Sequence, residues 1–146
     1  MQTPELLIND TLQNRLAVFL KRYGPSGLEK ALQLYEDAQQ NYICKSSSAI
    51  SRIKLTDIYY LNIREHNISI HTQYDTYHKY GSLNKELAFL SPYGFVKCNQ
   101  SCIVSLRKIK SIRDNSITLY NNEQLYMSRH YAPKLLIAFS YINVSK

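Results

Sequence analysis

The sequence lacks the short motifs that identify the common families of enzymes. Only four of its 146 residues are glycine, and none belongs to a glycine-rich nucleotide-binding loop or to the G-x-S-x-G turn of a hydrolase. The eleven acidic residues are scattered along the chain, so no pair of carboxylates indicates acid–base catalysis. We therefore expect a protein without enzymatic activity and without a cofactor.

Cysteine and long apolar runs are also scarce. The three cysteines, Cys44, Cys98 and Cys102, include no C-x-x-C pair, which argues against a disulfide framework and favours a reducing compartment. No histidine stands at zinc-ligand spacing from Cys98 and Cys102, so we expect no metal site. The apolar runs fall short of the roughly 18 residues of a membrane-spanning helix, and no signal peptide is recognisable. A soluble protein of the cytoplasm is therefore expected.

Positive charge is abundant and unevenly distributed. The chain has 18 Lys and Arg residues against 11 Asp and Glu, a formal net charge of +7. Residues 1–45 contain five basic and five acidic side chains, so the whole excess lies after residue 45. A basic surface favours an anionic partner such as nucleic acid. If the protein binds nucleic acid, the C-terminal part is expected to bind it.

The first 40 residues predict a helical hairpin. Apolar side chains recur at helical spacing on one face of each segment: Leu12, Leu16, Phe19, Leu20 and Tyr23 in the first, and Leu28, Ala31, Leu32 and Tyr35 in the second. Gly24 and Pro25 stop the first helix, and Ser26 with Glu29 matches the capping box of a second. We expect the hairpin, residues 1–40, to be a dimerisation or regulatory appendage.

From Asn41 onward the apolar period changes from 3.6 residues to 2, and β-branched and aromatic residues become frequent. A single helical stripe, formed by Leu83, Leu87 and Leu90, interrupts the series of strands, and a closing helix is expected with Pro133 in its first turn. Residues 41–146 therefore predict a mainly β domain with one or two short helices.

Four segments follow one another within residues 57–139: DIYYLNIREHNISIHT, SLNKELAFL, FVKCNQSCIVSLRKIKSI and QLYMSRHYAPKLL. They resemble, in the same order and with matching spacing, the landmarks of the LytTR DNA-binding domain. The family sequences read approximately I-x-Y-I-E-A-x-x-N-Y-V-x-I-H-T, L-K-E-L, F-x-R-x-H-R-S-x-I-V-N-L-x-x-I and V-S-R-R-Y. The C-terminal part is therefore identified as similar to this family.

The resemblance implies an elongated, antiparallel domain of several sheets, whose loops insert side chains into successive grooves of double-stranded DNA. It assigns base contacts to three places: His66 and Asn67 between two strands, Gln100 and Ser101 after the strand FVKC, and Arg129 and His130 after the last hairpin. Asparagine and glutamine suit adenine, and arginine suits guanine. The expected phosphate contacts are Arg64, Lys97, Arg107, Lys108 and Lys110.

Some positions depart from the family type. Asn62 stands where glutamate is usual, residues 99–101 read N-Q-S in place of H-R-S, and His130 replaces the second arginine of S-R-R. These changes affect the surface that is expected to read DNA. They leave the target sequence open and do not alter the expected fold.

We expect a transcription regulator that binds repeated half-sites as a homodimer. The N-terminal 40 residues are too few for the receiver domain of about 120 residues that commonly precedes a LytTR domain. We therefore expect a stand-alone regulator. In one arrangement known for the family, a membrane-bound partner protein restrains such a regulator. Two alternatives remain: a protein-interaction module built on strand edges, and DNA binding by the N-terminal hairpin. The neutral charge of the hairpin disfavours the second.

Overall fold

The structure, a computed structural model, describes residues 9–143 and divides the chain into two units between Gln39 and Gln40. The N-terminal unit contains α1, Asp10–Ala38, in which Asn9 accepts a hydrogen bond from the Leu12 amide at 2.8 Å and so caps the first turn. The helix is interrupted at Gly24, whose φ is +73° and ψ 178°. Proline disfavours a helical conformation in the residue before it, and glycine accepts positive φ, so the break lies where the Gly24-Pro25 pair predicts it.

Many of the large apolar side chains of α1 are exposed. None of its described side chains is buried, and Leu12, Val18, Leu32 and Tyr35 are 48%, 64%, 55% and 66% exposed. The helical segments on either side of Gly24 agree with the sequence analysis. The packing of the two segments against each other as a hairpin stays a prediction.

The second unit is a β domain with three antiparallel sheets among the described residues. Its strands are β1 Asn41–Lys45, β2 Ile50–Lys54, β3 Ile58–Arg64, β4 Asn67–Thr72, β5 Thr76–Tyr80, β6 Phe95–Asn99, β7 Cys102–Ser105, β8 Ile109–Arg113, β9 Ser116–Leu119 and β10 Gln124–Tyr126. Helix α2, Leu83–Leu90, lies between β5 and β6, and α3, Ala132–Asn143, follows β10. The expected mainly β, multi-sheet fold with short helices is confirmed.

The largest sheet has the order β5-β4-β3-β7-β6, and the other two pair β1 with β2 and β10-β9-β8. Successive side chains of a strand point to opposite faces, and both faces of the large sheet are covered. On one face Leu61 and Ile103 belong to a core cluster that includes Leu90 of α2. On the other face Val104 packs in a second cluster with Leu135 of α3. The large sheet is therefore packed between two cores.

Glu86 is a buried carboxylate that connects three elements of the β domain. Its Oε1 atom accepts a hydrogen bond from the Tyr42 hydroxyl, and Lys79 Nζ lies 3.1 Å from the same oxygen. Burial, and then the bond to Glu86, raise the pKa of Tyr42 well above its ordinary value. The ion pair with Lys79 connects α2 to β5, and the hydrogen bond from Tyr42 connects α2 to β1. No described helix has both the length and the apolar character that crossing a membrane requires.

Candidate nucleic-acid interface

The first turn, residues 64–67, connects β3 to β4. Arg64 and Asn67 pair across the end of the two strands, and Glu65 has a φ of +59°, which lets the chain reverse within two residues. The His66 ring packs against the Tyr80 ring at 5.5 Å between centroids, and the His66 carbonyl accepts a hydrogen bond from the Gly81 amide at 2.9 Å. The side chains of Arg64, His66 and Asn67 are exposed at this end of the sheet.

The second turn, residues 99–102, connects β6 to β7. The Asn99 Oδ1 atom accepts hydrogen bonds from the Ser101 amide at 2.9 Å and from the Ser101 hydroxyl at 3.2 Å. Asparagine side chains favour this kind of bond to the backbone two residues further on. The bond closes the turn and leaves the side chain of Gln100 exposed at its tip, with that of Ser101 beside it.

The third turn, residues 127–131, leads from β10 into α3. The amide of Met127 donates to the Asn115 carbonyl at 2.8 Å, and the amide of Ser128 donates to the Cys98 carbonyl at 2.9 Å. The Ser128 carbonyl in turn accepts from the amides of Tyr131 and Ala132. Arg129 and His130 lie between these anchored residues, and both side chains are exposed.

Hydrogen bonds join the three turns at one end of the large sheet. The Ile63 amide, next to the first turn, donates to the Ser101 carbonyl at 2.9 Å. The Asn99 side-chain amide donates to the Tyr126 carbonyl at 2.8 Å, immediately before the third turn. The Tyr131 hydroxyl reaches back and donates to Gln100 Oε1 at 3.3 Å. All six expected base-contacting residues therefore lie on neighbouring turns.

The expected phosphate contacts fall into two groups. Arg64 ends β3 at the first turn, and Lys97 lies on β6, two residues before Asn99, with its Nζ atom 5.7 Å from the centre of the Tyr131 ring. Arg107 and Lys108 lie in the 3₁₀ turn Leu106–Lys108, at the opposite end of β7 from the second turn. The four residues of β7 separate the two ends by roughly 13 Å.

Lys108 and Lys110 differ from the first group in their surroundings. The Lys108 ammonium lies 4.8 Å from the centre of the Tyr59 ring, and burial lowers its pKa, an effect that Asp57 opposes. Lys110 is exposed on β8. The structure thus brings Arg64 and Lys97 to the three turns and places Arg107, Lys108 and Lys110 away from them.

Two side chains that sequence reasoning missed connect the expected contacts. Asn99 was recognised only as a departure from the family type, although asparagine two residues before a serine in a polar turn is a signal for a side-chain-to-backbone bond. The helical spacing of Tyr131 with Leu135 predicts only that it packs inward on the closing helix. In the structure it contacts Gln100 through its hydroxyl, His130 edge-to-face at 4.8 Å, and the Lys97 ammonium through its ring. Only the folded chain brings these partners together.

Cys98 and Cys102 lie directly beneath the second turn and are buried. The Cys98 Sγ atom is 3.8 Å from the Cys102 carbonyl oxygen. The adjoining Cys98 thiol, and then burial, raise the pKa of Cys102, which is expected for thiols that act as small core residues. Within residues 9–143, no group of three or more His, Cys, Asp or Glu side chains is arranged to hold a metal ion.

A family model described as the LytTr DNA-binding domain matches residues 48–139. The chain belongs to the LytTR family. The match to the LytTR model begins in the turn before β2 and ends within α3, so it includes all three turns. LytTR domains are the DNA-binding domains of transcription regulators and do not form an enzyme family. The resemblance found in the sequence is confirmed.

A solved LytTR structure has the same fold. It is the LytTr DNA-binding domain of a Bacillus cereus protein described as a methyl-accepting/DNA response regulator, and it aligns with a TM-score of 0.59 at 22% sequence identity. The alignment covers 67% of this chain and 97% of that one. No curated protein sequence matches the chain. The solved structure therefore supports the fold of the LytTR domain.

Proposed function

We propose that this chain is a sequence-specific transcription regulator that reads double-stranded DNA with the three turns at one end of its large sheet. The observation that carries the proposal is the convergence of these turns. Residues that lie far apart in the sequence, from His66 to His130, occupy neighbouring turns joined by hydrogen bonds. Their side chains are exposed, as contact with a base edge requires.

The side chains on the three turns suit the edges of DNA bases. Asn67 and Gln100 can bond to adenine through both amide atoms, and Arg129 can bond to O6 and N7 of guanine. The Ser101 hydroxyl can donate and accept hydrogen bonds, and the imidazole rings of His66 and His130 each have two nitrogen atoms that can take part, so all three can bond to base edges. Each good two-point contact contributes about 1–3 kcal/mol of discrimination against the wrong base.

Arg64 and Lys97 are the phosphate contacts that the geometry favours most, because they flank the three turns. Contacts with phosphate fix the orientation of a protein on the duplex and carry no sequence information. Arg107, Lys108 and Lys110 are proposed to contact a more distant stretch of backbone, and with smaller effect, since a strand length separates Arg107 and Lys108 from the second turn.

We further propose that α1 joins two copies of the chain, so that a dimer reads two half-sites. Several large apolar side chains of α1 are exposed and unsuited to water. The N-terminal unit also lacks the positive charge that a DNA-binding helix would carry. A membrane-bound partner that restrains the regulator would compete for the same apolar stripe. The DNA-binding step itself is proposed to occur in the cytoplasm.

A selection from random duplexes with the full chain tests the proposed function. We expect one enriched sequence, recovered as two similar half-sites about one or two helical turns apart, and an affinity that falls steeply with salt. The variant Arg129→Ala should relax the preference at one base pair, whereas Arg15→Ala in α1 serves as the matched control and should retain it. If no duplex binds measurably at low salt, the protein-interaction module is favoured instead.

A further inference from the structure

Asn99 uses both ends of its side-chain amide. The Oδ1 atom closes the second turn through the Ser101 amide and hydroxyl, and the Nδ2 group crosses to the Tyr126 carbonyl at 2.8 Å. The backbone reinforces this connection, because the Ser128 amide donates to the Cys98 carbonyl one residue away. A movement of the second turn is therefore transmitted through these hydrogen bonds to the first residues of the third turn.

Tyr131 makes the reciprocal connection. It lies in the third turn, and its hydroxyl donates to Gln100 Oε1 in the second. Its ring meets the His130 ring edge-to-face and lies beneath the Lys97 ammonium. One tyrosine thus orients an amide, an imidazole and an ammonium group that are each expected to contact DNA.

The first turn is attached differently. Within residues 9–143, the hydrogen bond that links it to the second turn joins backbone atoms, the Ile63 amide and the Ser101 carbonyl. The His66 side chain packs outward against Tyr80 on the edge strand β5, away from β6 and β7. No side chain of the first turn takes part in the contacts of Asn99 and Tyr131.

We infer that the second and third turns form one reading unit, held by the reciprocal side-chain bonds of Asn99 and Tyr131, so that the bases they contact are recognised jointly. The first turn reads its base independently. Asn99 and Tyr131 are specificity-determining positioning residues. Tyr131 contacts Gln100 and His130 directly, and the bonds that anchor Ser128 and Tyr131 position Arg129 through the backbone of the third turn. This inference rests on the proposed function.

The physical basis is that groups in one hydrogen-bonded network do not contribute additively to binding. Residues that share partners couple measurably, whereas residues without shared partners contribute nearly additively. Neutral hydrogen bonds of this kind correspond to about a threefold to tenfold effect on an equilibrium. Joint recognition should therefore appear as coupling between Gln100 and Arg129 that is absent between His66 and Arg129.

The variants Tyr131→Phe and Asn99→Asp separate positioning from folding. Phenylalanine keeps the ring contacts with His130 and Lys97 and removes only the donor to Gln100. Aspartate keeps the acceptor for Ser101 and removes the donor to the Tyr126 carbonyl. Matched controls are Tyr120→Phe, at a side chain that is 62% exposed, and Asn84→Asp, at an exposed position of α2.

The experiment compares base preferences of the full-length wild type and variants, each selected on the same random duplex library at one salt concentration. Single variants His66→Ala, Gln100→Ala and Arg129→Ala first identify which base pair each residue reads. The double variants Gln100→Ala/Arg129→Ala and His66→Ala/Arg129→Ala then measure coupling on the wild-type site. Thermal unfolding of every variant shows whether the fold is retained.

We expect coupling of about threefold to tenfold between Gln100 and Arg129 and less than about twofold between His66 and Arg129. Tyr131→Phe should change the preferences at the base pairs read by Gln100 and Arg129 without changing the pair read by His66 or the thermal midpoint. Neither control should change any preference. This pattern would support a joint reading unit.

Three results would overturn the inference. They are additive losses for Gln100 and Arg129, a coupling of His66 to Arg129 as large as that of Gln100 to Arg129, and unchanged base preferences in Gln100→Ala or Tyr131→Phe. In each of these cases the wild type still selects a preferred duplex, so the proposed function stands. If the wild type selects no duplex, the proposed function and the inference fall together. A uniform loss of affinity in Asn99→Asp, with every base preference retained, would also count against the inference, because added negative charge alone produces that result.

Discussion

The N-terminal unit and the β domain use similar apolar side chains in opposite ways. In the β domain leucines and isoleucines such as Leu61, Ile103 and Leu135 are completely buried. In α1, Leu12 and Leu32 remain about half exposed. Charge differs as well, since the excess of positive charge lies after residue 45. The β domain therefore contains its own core and carries the excess of positive charge, whereas α1 leaves many of its large apolar side chains exposed.

The largest expected effect contrasts two leucines. Leu135→Ala opens a cavity in a packed core and should lower the free energy of unfolding by about 3 kcal/mol. Leu32→Ala, which is the same change on the exposed stripe of α1, should change the free energy of unfolding of the monomer by less than about 0.5 kcal/mol. Chemical denaturation of both variants, at a protein concentration too low for dimers to form, measures the difference. A large loss in Leu32→Ala would mean that α1 packs against a core of its own.

Removal of residues 1–39 separates dimer formation from DNA reading. The remaining chain should keep the base preference of the wild type and lose about 100-fold in affinity for a duplex with two half-sites, because two linked sites no longer bind together. Binding titrations on one-site and two-site duplexes, with analytical ultracentrifugation, measure both effects. If the affinity for the two-site duplex is retained and the mass in solution is still that of two chains, dimer formation would be assigned to the β domain.

Arg129→Ala should weaken binding to the preferred duplex by about 1–3 kcal/mol and relax the preference at one base pair. The physical reason is that arginine reads guanine through two donors at once. Competition titrations against duplexes with single base substitutions measure it. An equal loss on every duplex would show that Arg129 contacts phosphate.

Arg64→Ala and Lys97→Ala should reduce the slope of log affinity against log salt by about 0.9 each, since each side chain releases one phosphate counterion. Arg107→Ala and Lys110→Ala, away from the three turns, provide the comparison and should change the slope less. Titrations at four salt concentrations are sufficient. Equal changes for all four variants would mean that the DNA path extends to the far end of β7.

The smallest expected effect is a dependence of stability on pH. Burial lowers the pKa of His71, whose Nε2 atom lies 2.6 Å from Asn62 Oδ1. The unfolded chain therefore binds a proton more readily than the folded chain. The contribution of the neutral, buried His71 ring to stability is therefore complete above the ordinary histidine pKa of about 6.5 and is lost as the pH falls below it. Denaturation of His71→Gln should show a weaker decline in stability than the wild type between pH 7 and pH 5.

The sequence predicted the elements of the β domain well because its patterns are local. Alternating apolar residues identify strands such as β3, and the helical stripe of Leu83, Leu87 and Leu90 identifies α2. The break at Gly24 was predictable for the same reason, since the conformational preferences of glycine and proline act on single residues.

The arrangement of the candidate site could be predicted only in part. The LytTR resemblance assigns the expected base contacts to three places, but it does not separate Arg64 and Lys97 from Arg107 and Lys108. That distinction depends on which end of β7 each residue occupies. The bonds from Asn99 to Tyr126 and from Tyr131 to Gln100 span 27 and 31 residues, and no local pattern encodes a partner at that distance. Such contacts follow from sheet topology.

The measurement that tests the central claim most directly is a titration of the isotopically labelled full chain with its selected duplex, followed by backbone amide resonances. We expect the largest shifts at residues 64–67, 99–102 and 127–131, with smaller shifts at residues 106–110 and none specific to DNA in α1. Shifts that concentrate in α1, or that leave the three turns unaffected, would contradict the assignment of DNA reading to one end of the large sheet.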